Sequence, residues 1–209
     1  MHMRLCFMFL LIAVLMCAPG FCAENTASMG ETISQAKQLY YEGINGNKQS
    51  LEKSTRMFAD LASIEPDNPE VQAYHGSILL LQAGRTWAVW KKYELSKAGL
   101  ASLDEAVRRA PSNLEVRFVR AATTMHLPSF FSRDQQSKED LTIIAKGAST
   151  AVSKHELDAR IAAAALFFYA ERVVAPEDRK GVLEQAFSLA PDSPAGRGAS
   201  LELQRMQNK

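Results

Sequence analysis

Apolar residues recur along most of the chain at intervals of three and four, the spacing of one face of an α-helix, and no stretch alternates in the manner of a strand. The pattern predicts helices over Ser28–Ile44, Ser50–Ile64 and Pro69–Gln82. In the second of these, Leu51, Met57, Phe58 and Leu61 form one stripe. Trp87–Lys97 and Leu100–Ala110 follow as separate helices, and then Leu114–His126, whose Leu114, Phe118, Ala121, Ala122 and Met125 fall on one side. Ser137–Lys146, Lys154–Val174, Glu177–Leu189 and a last helix from about Ala195 complete the series. The connections are short, apart from the one around "LPSFFSRDQQ".

The breaks between these helices repeat. "EPDNPEVQ" (Glu65–Gln72), "APSNLEVR" (Ala110–Arg117) and "APDSPAGR" (Ala190–Arg197) each put a proline after a run rich in apolar and small residues, then polar residues that start a new helix. Proline stops the first helix and aims the next. The segment "RMFADLASIEPDNPEVQAYHG" resembles the tetratricopeptide repeat, with Phe58, Leu61, Pro66 and Gly76 at the family's small or apolar places. Leu103, Ala106, Pro111 and Ala121 match in the next unit, and Leu183, Ala186 and Pro191 in the last. The match is uneven. Pro66 to Pro111 spans 45 residues and Pro111 to Pro191 spans 80, against a standard unit of about 34. The second unit is therefore expected to carry an insertion, and the third spacing to hide a divergent unit. Gln72 and Arg117 stand where the family has tryptophan. The resemblance implies an all-α, tetratricopeptide-like solenoid of antiparallel helix pairs, about four of them, with the first helix of each pair lining the inner surface.

The N-terminal end reads differently. Arg4 precedes the unbroken apolar run Leu5–Met16, which is short for a bilayer span and suits a secretory leader. We expect residues 1–23 to be a cleaved signal peptide, with cleavage after Gly20, Cys22 or Ala23, and residues 24–209 to form a single helical domain. Cys6, Cys17 and Cys22 are the only cysteines, so the domain is expected to rely on an apolar core rather than on disulfides. Met16 and Phe21 precede Cys17 and Cys22 where lipoproteins carry a small residue, so a chain released after cleavage, in the periplasm or an equivalent compartment, is expected over a lipidated one. The chain has 24 Lys and Arg against 23 Asp and Glu, without a long run of one sign. That balance argues against nucleic acid as the partner.

No sequence motif for a catalytic nucleophile, a nucleotide loop or a metal-binding histidine pair is present. His75, His126 and His155 are scattered, and no metal or cofactor is expected. The acidic pairs Asp104/Glu105 and Glu139/Asp140 are expected near helix N-termini, where the dipole favours them. "GRG" at Gly196–Gly198 reads as a turn.

Three groups are candidates for partner contact. Arg117 and Arg120 share a face opposite the Leu114/Phe118 stripe, with Arg133 close in sequence. They are expected either to pair with acids of neighbouring helices or to capture a partner carboxylate on the concave wall. Trp87 and Trp90 lie one turn apart beside Lys91, Lys92 and Tyr93, inside the expected insertion. Packing over the irregular repeat is expected for both rings, the alternative being contact with a partner or a membrane face. Phe130 and Phe131 follow Pro128 and are expected to be buried under the next helix pair, or else to protrude as an anchor. The function expected is an exported, non-enzymatic scaffold or assembly factor of the cell envelope that binds a protein or peptide. Peripheral membrane docking through Trp87 and Trp90 is the second reading, and an enzyme with an unrecognised site in a pocket of the irregular third unit is the third.

Overall fold

A computed structural model describes residues 19–208, with side chains from Ser28 onward. The expected leader falls largely outside the described residues, as do Cys6 and Cys17. Helices occupy Pro19–Ile44 (α1), Lys48–Ile64 (α2), Pro69–Arg85 (α3), Val89–Arg109 (α4), Leu114–Thr124 (α5), Asp134–Ser153 (α6), Ala159–Arg172 (α7), Arg179–Leu189 (α8) and Pro194–Gln207 (α9). A 3-10 turn at Ser129–Phe131 sits in the long connection between α5 and α6. Among the described residues the fold is all-α, with no strand.

The three similar breaks fold into the same turn. The backbone N–H groups of Asn68, Asn113 and Ser193 donate to the carbonyls of Glu65, Ala110 and Ala190, three residues back, at 3.1 Å each. Each of these residues then caps the next helix with its side chain: Asn68 accepts from Glu70 and Val71, Asn113 from Val116, and Ser193 from Gly196. Such a cap contributes about 1 kcal/mol. The proline needs no N–H inside this turn, and its fixed φ suits the bend.

The pairs α1/α2, α3/α4 and α5/α6 run antiparallel. Ser54 Oγ donates to the Ala36 carbonyl across α1 and α2, Ser102 Oγ to the Gln72 carbonyl across α3 and α4, and Thr124 Oγ1 meets Ser137 Oγ across α5 and α6. Two apolar clusters result. The first joins α1–α4 to Val116 and Val119 of α5. The second joins Phe118 and Ala121 of α5 to α6–α9. Phe58, Leu61, Leu103, Ala106, Ala121, Leu183 and Ala186, which carry the repeat pattern, are all buried.

Several boundaries differ from the sequence reading. Trp87–Lys97 and Leu100–Ala110 are one helix, α4, because Gly99 is a contact residue rather than a breaker. A Cβ on Gly99 would lie 2.7 Å from the Gly76 carbonyl oxygen. The helix expected over Lys154–Val174 begins at Ala159. The chain turns at His155, whose φ of 59° is left-handed, and Asp158 caps α7 by accepting from Arg160 N–H. The α1 helix starts at Pro19 rather than Ser28, since proline is tolerated in a first turn. The "GRG" stretch is a contact face of α9 rather than a turn: Gly196 lies against Ala190 and Gly198 against the Phe167 ring.

Candidate functional site

The arginines do not line an open wall. No residue of α5 is fully exposed, and Val116, Phe118, Val119, Arg120, Ala121 and Thr124 are buried. The face opposite the Phe118 stripe therefore points at α4 and α6. Arg120 bonds Asp140 through Nε (2.7 Å to Oδ2) and Nη2 (2.9 Å to Oδ1), and Arg117 Nη1 reaches Oδ1 of the same carboxylate at 2.6 Å. Asp140 is fully buried. Arg120 also approaches Asp104 at 3.3 Å, and Arg133 Nη1 bonds both oxygens of Asp104 at 2.9 and 2.7 Å. Burial opposes the Arg120 charge, yet Asp140 and Asp104 hold its pKa above the usual value. This network ties α4, α5 and α6 together. The dipole account of the acids is corrected by the same geometry. Asp104 lies deep in α4, and Asp140, although in the second turn of α6, is an arginine acceptor within the stack.

A second polar seam, invisible in the sequence, joins the first helices of three pairs. Lys37 of α1 reaches Glu70 of α3 at 2.5 Å and Glu115 of α5 at 2.8 Å. Tyr74 donates to Glu115 at 2.7 Å and exchanges a hydrogen bond with Tyr41, while Tyr40 meets Ser77 at 2.7 Å. Burial pushes the Tyr41 and Tyr74 phenols well above their ordinary range. Neighbours along this seam lie 33 to 41 positions apart, and Lys37 and Glu115 lie farther apart still. No local period brings them together.

The tryptophans fare differently. Between Ala83 and Ser96 no residue is buried. Trp87 is 88% exposed, Trp90 68% and Tyr93 67%. The expected packing of Trp87 and Trp90 is therefore corrected: they meet each other edge to face at 6.5 Å and stand clear of the core. Helix lengths explain why. The starts of α3 and α5 are level, since Asn113 Nδ2 bonds Glu70, and Thr123 then meets Ser77 further along. But α3 has 17 residues and α5 has 11, so α3 runs on by roughly 9 Å at 1.5 Å per residue. On the other side Tyr40 meets Ser77, so α1, ending at Ile44, also stops short of Arg85. The α3–α4 hairpin thus runs past α1 and α5, and its tip is left uncovered.

Phe130 and Phe131 divide. Phe131 packs on the first apolar cluster, whereas Phe130 is 78% exposed, against the expectation of burial for both. The two rings touch at 4.5 Å between centroids. Two shallow hollows flank this segment, one lined by Asp134, Lys138, Glu171, Arg172 and Arg179, the other including Leu127, Ser129 and Arg133. Neither is lined by Trp87 or Trp90. Among the described residues no group of three His, Cys, Asp or Glu side chains gathers into a metal-binding arrangement. Nor is any helix there long and apolar enough to cross a membrane.

No protein-family model, curated protein or solved structure matches this chain.

Proposed function

We propose that this protein is an exported adaptor of the cell envelope: a tetratricopeptide-like stack of helix pairs that acts by binding rather than by catalysis, and that engages its partner through the exposed α3–α4 tip. One observation carries the reading. The aromatic side chains Trp87, Trp90 and Tyr93 stand in solvent on a hairpin that outruns its neighbours. An uncovered aromatic patch costs solubility and marks an interaction surface. Of the other candidates, the arginines already have internal carboxylates, Phe131 packs on the core, and Phe130 stands exposed as a single ring. The buried Asp140 and tyrosine seams support the reading from the other side, because they give the stack a fixed shape from which a tip can be presented.

Photo-crosslinking in the living host tests this. A photoreactive residue at Trp90 should capture an envelope component, and one at Arg56, exposed on α2, should not. Equal capture at both positions, or none at Trp90, would remove the tip as the point of engagement.

A further inference from the structure

The tip has a second property besides its aromatic rings. From Gly84 to Lys97 it carries Arg85, Lys91, Lys92 and Lys97 against one carboxylate, Glu94, in a chain whose overall charge is nearly balanced. All five charged side chains are exposed. The excess of cations is thus placed among Trp87, Val89, Trp90 and Tyr93. We propose that the Gly84–Lys97 tip docks on an anionic bilayer surface, with the two indoles in the headgroup zone and the four cations against lipid phosphates. The proposal rests on the preceding reading that the tip is the point of engagement, and names what it engages.

Three features favour a bilayer over a protein. The tip outruns both flanking helices, and neither of the two hollows is lined by its residues. A Cβ built on Gly84 meets nothing within 4 Å. Indole and phenol rings have an apolar body and a polar edge, which suits the boundary between headgroups and acyl chains. Basic side chains on the same turns add attraction to anionic lipid and snorkel to the phosphates while the rings enter. Neither half suffices alone. Two tryptophans without cations would not discriminate lipid charge, and four exposed cations without rings would remain at the surface.

The test uses a feature of this chain: its only two tryptophans are Trp87 and Trp90. Tryptophan emission, excited at the red edge where tyrosine does not absorb, therefore reports on the tip. The full protein, in the form recovered from its host, is titrated with vesicles of phosphatidylcholine, or of phosphatidylcholine mixed with phosphatidylglycerol, with and without brominated acyl chains. The expected result is a blue shift and bromine quenching on the anionic vesicles, much weaker on the neutral ones, and reversal by added salt. Lys91→Gln with Lys92→Gln should weaken the apparent affinity for anionic vesicles roughly 25-fold, at about fivefold per lysine. Unchanged emission on both vesicle types overturns the proposal, as does an equal response on both or indifference to the lysine changes. If emission is unchanged while Trp90 still crosslinks to an envelope protein in cells, the lipid assignment falls and the adaptor reading stands. If Trp90 captures nothing either, both fall.

Discussion

Gly76 of α3 and Gly99 of α4 cross so closely that a Cβ on either would lie within 2.8 Å of the other's carbonyl oxygen. The hairpin that carries the exposed tip is therefore pinned at a point where neither helix has room for a side chain. Gly99→Ala gains helix propensity of up to about 1 kcal/mol but must push apart two backbones and the Leu80 side chain, 2.9 Å away. We expect a net loss of about 1–3 kcal/mol. Gly84→Ala, in the same hairpin with nothing nearby, should instead be neutral or stabilising by up to ~1 kcal/mol. Thermal melts of the two variants check this, and similar shifts of the same sign would refute the close crossing.

Asp140 is the other fixed point. It accepts from two arginines while fully buried. Asp140→Ala strands two guanidinium groups in the stack and should cost about 3–5 kcal/mol, the range for breaking one side of a buried pair. Replacing Arg117 and Arg120 together with alanine should be destabilising as well. If chemical denaturation shows that double variant as stable as the wild type, the arginines are surface groups after all and remain available to a partner.

The tyrosine seam makes an alkaline prediction. Tyr40, Tyr41 and Tyr74 have raised pKa values, chiefly because burial opposes the phenolate. Lys37 is also raised: burial acts against it, but Glu115 and Glu70 outweigh that. In the unfolded chain the tyrosines lose their protons near pH 10, while the folded state holds them. Their contribution is thus fully present below pH 10 and is lost as pH rises toward the folded values. The melting temperature should fall above about pH 10. The fall should be shallower for a Tyr41→Phe, Tyr74→Phe double variant. Parallel pH profiles for the two proteins would contradict the assignment.

The helical class, most helix positions and the recurring turn were legible in the sequence because each depends on local chemistry. Apolar spacing, proline after a small-residue run and an Asn or Ser cap all act within a few residues. Phe58, Leu103 and Ala106 are buried as the repeat pattern requires. Errors arose where a local signal had a distant cause. Trp87–Lys97 and Leu100–Ala110 were expected as separate helices, yet the residue between them, Gly99, packs against Gly76, twenty-three positions earlier. The pairing of Arg117 and Arg120 with acids of neighbouring helices was one of the two expectations and holds, but that those acids are Asp140 and Asp104 was set by the packing of α4 and α6. The exposure of Trp87 and Trp90 follows from the relative lengths of α1, α3 and α5, which single-helix periodicity does not encode. The Lys37–Glu70–Glu115 junction left no local trace.

Membrane fractionation of the host combined with a melt of the purified protein tests the central claim most directly, that the chain acts at the envelope through its tip. Trp87→Ala with Trp90→Ala removes two exposed rings, so stability should change by less than about 0.5 kcal/mol. The account predicts that the wild type sediments with envelope membranes and the double variant moves into the released fraction at an unchanged melting temperature. Identical distribution of the two proteins would contradict it.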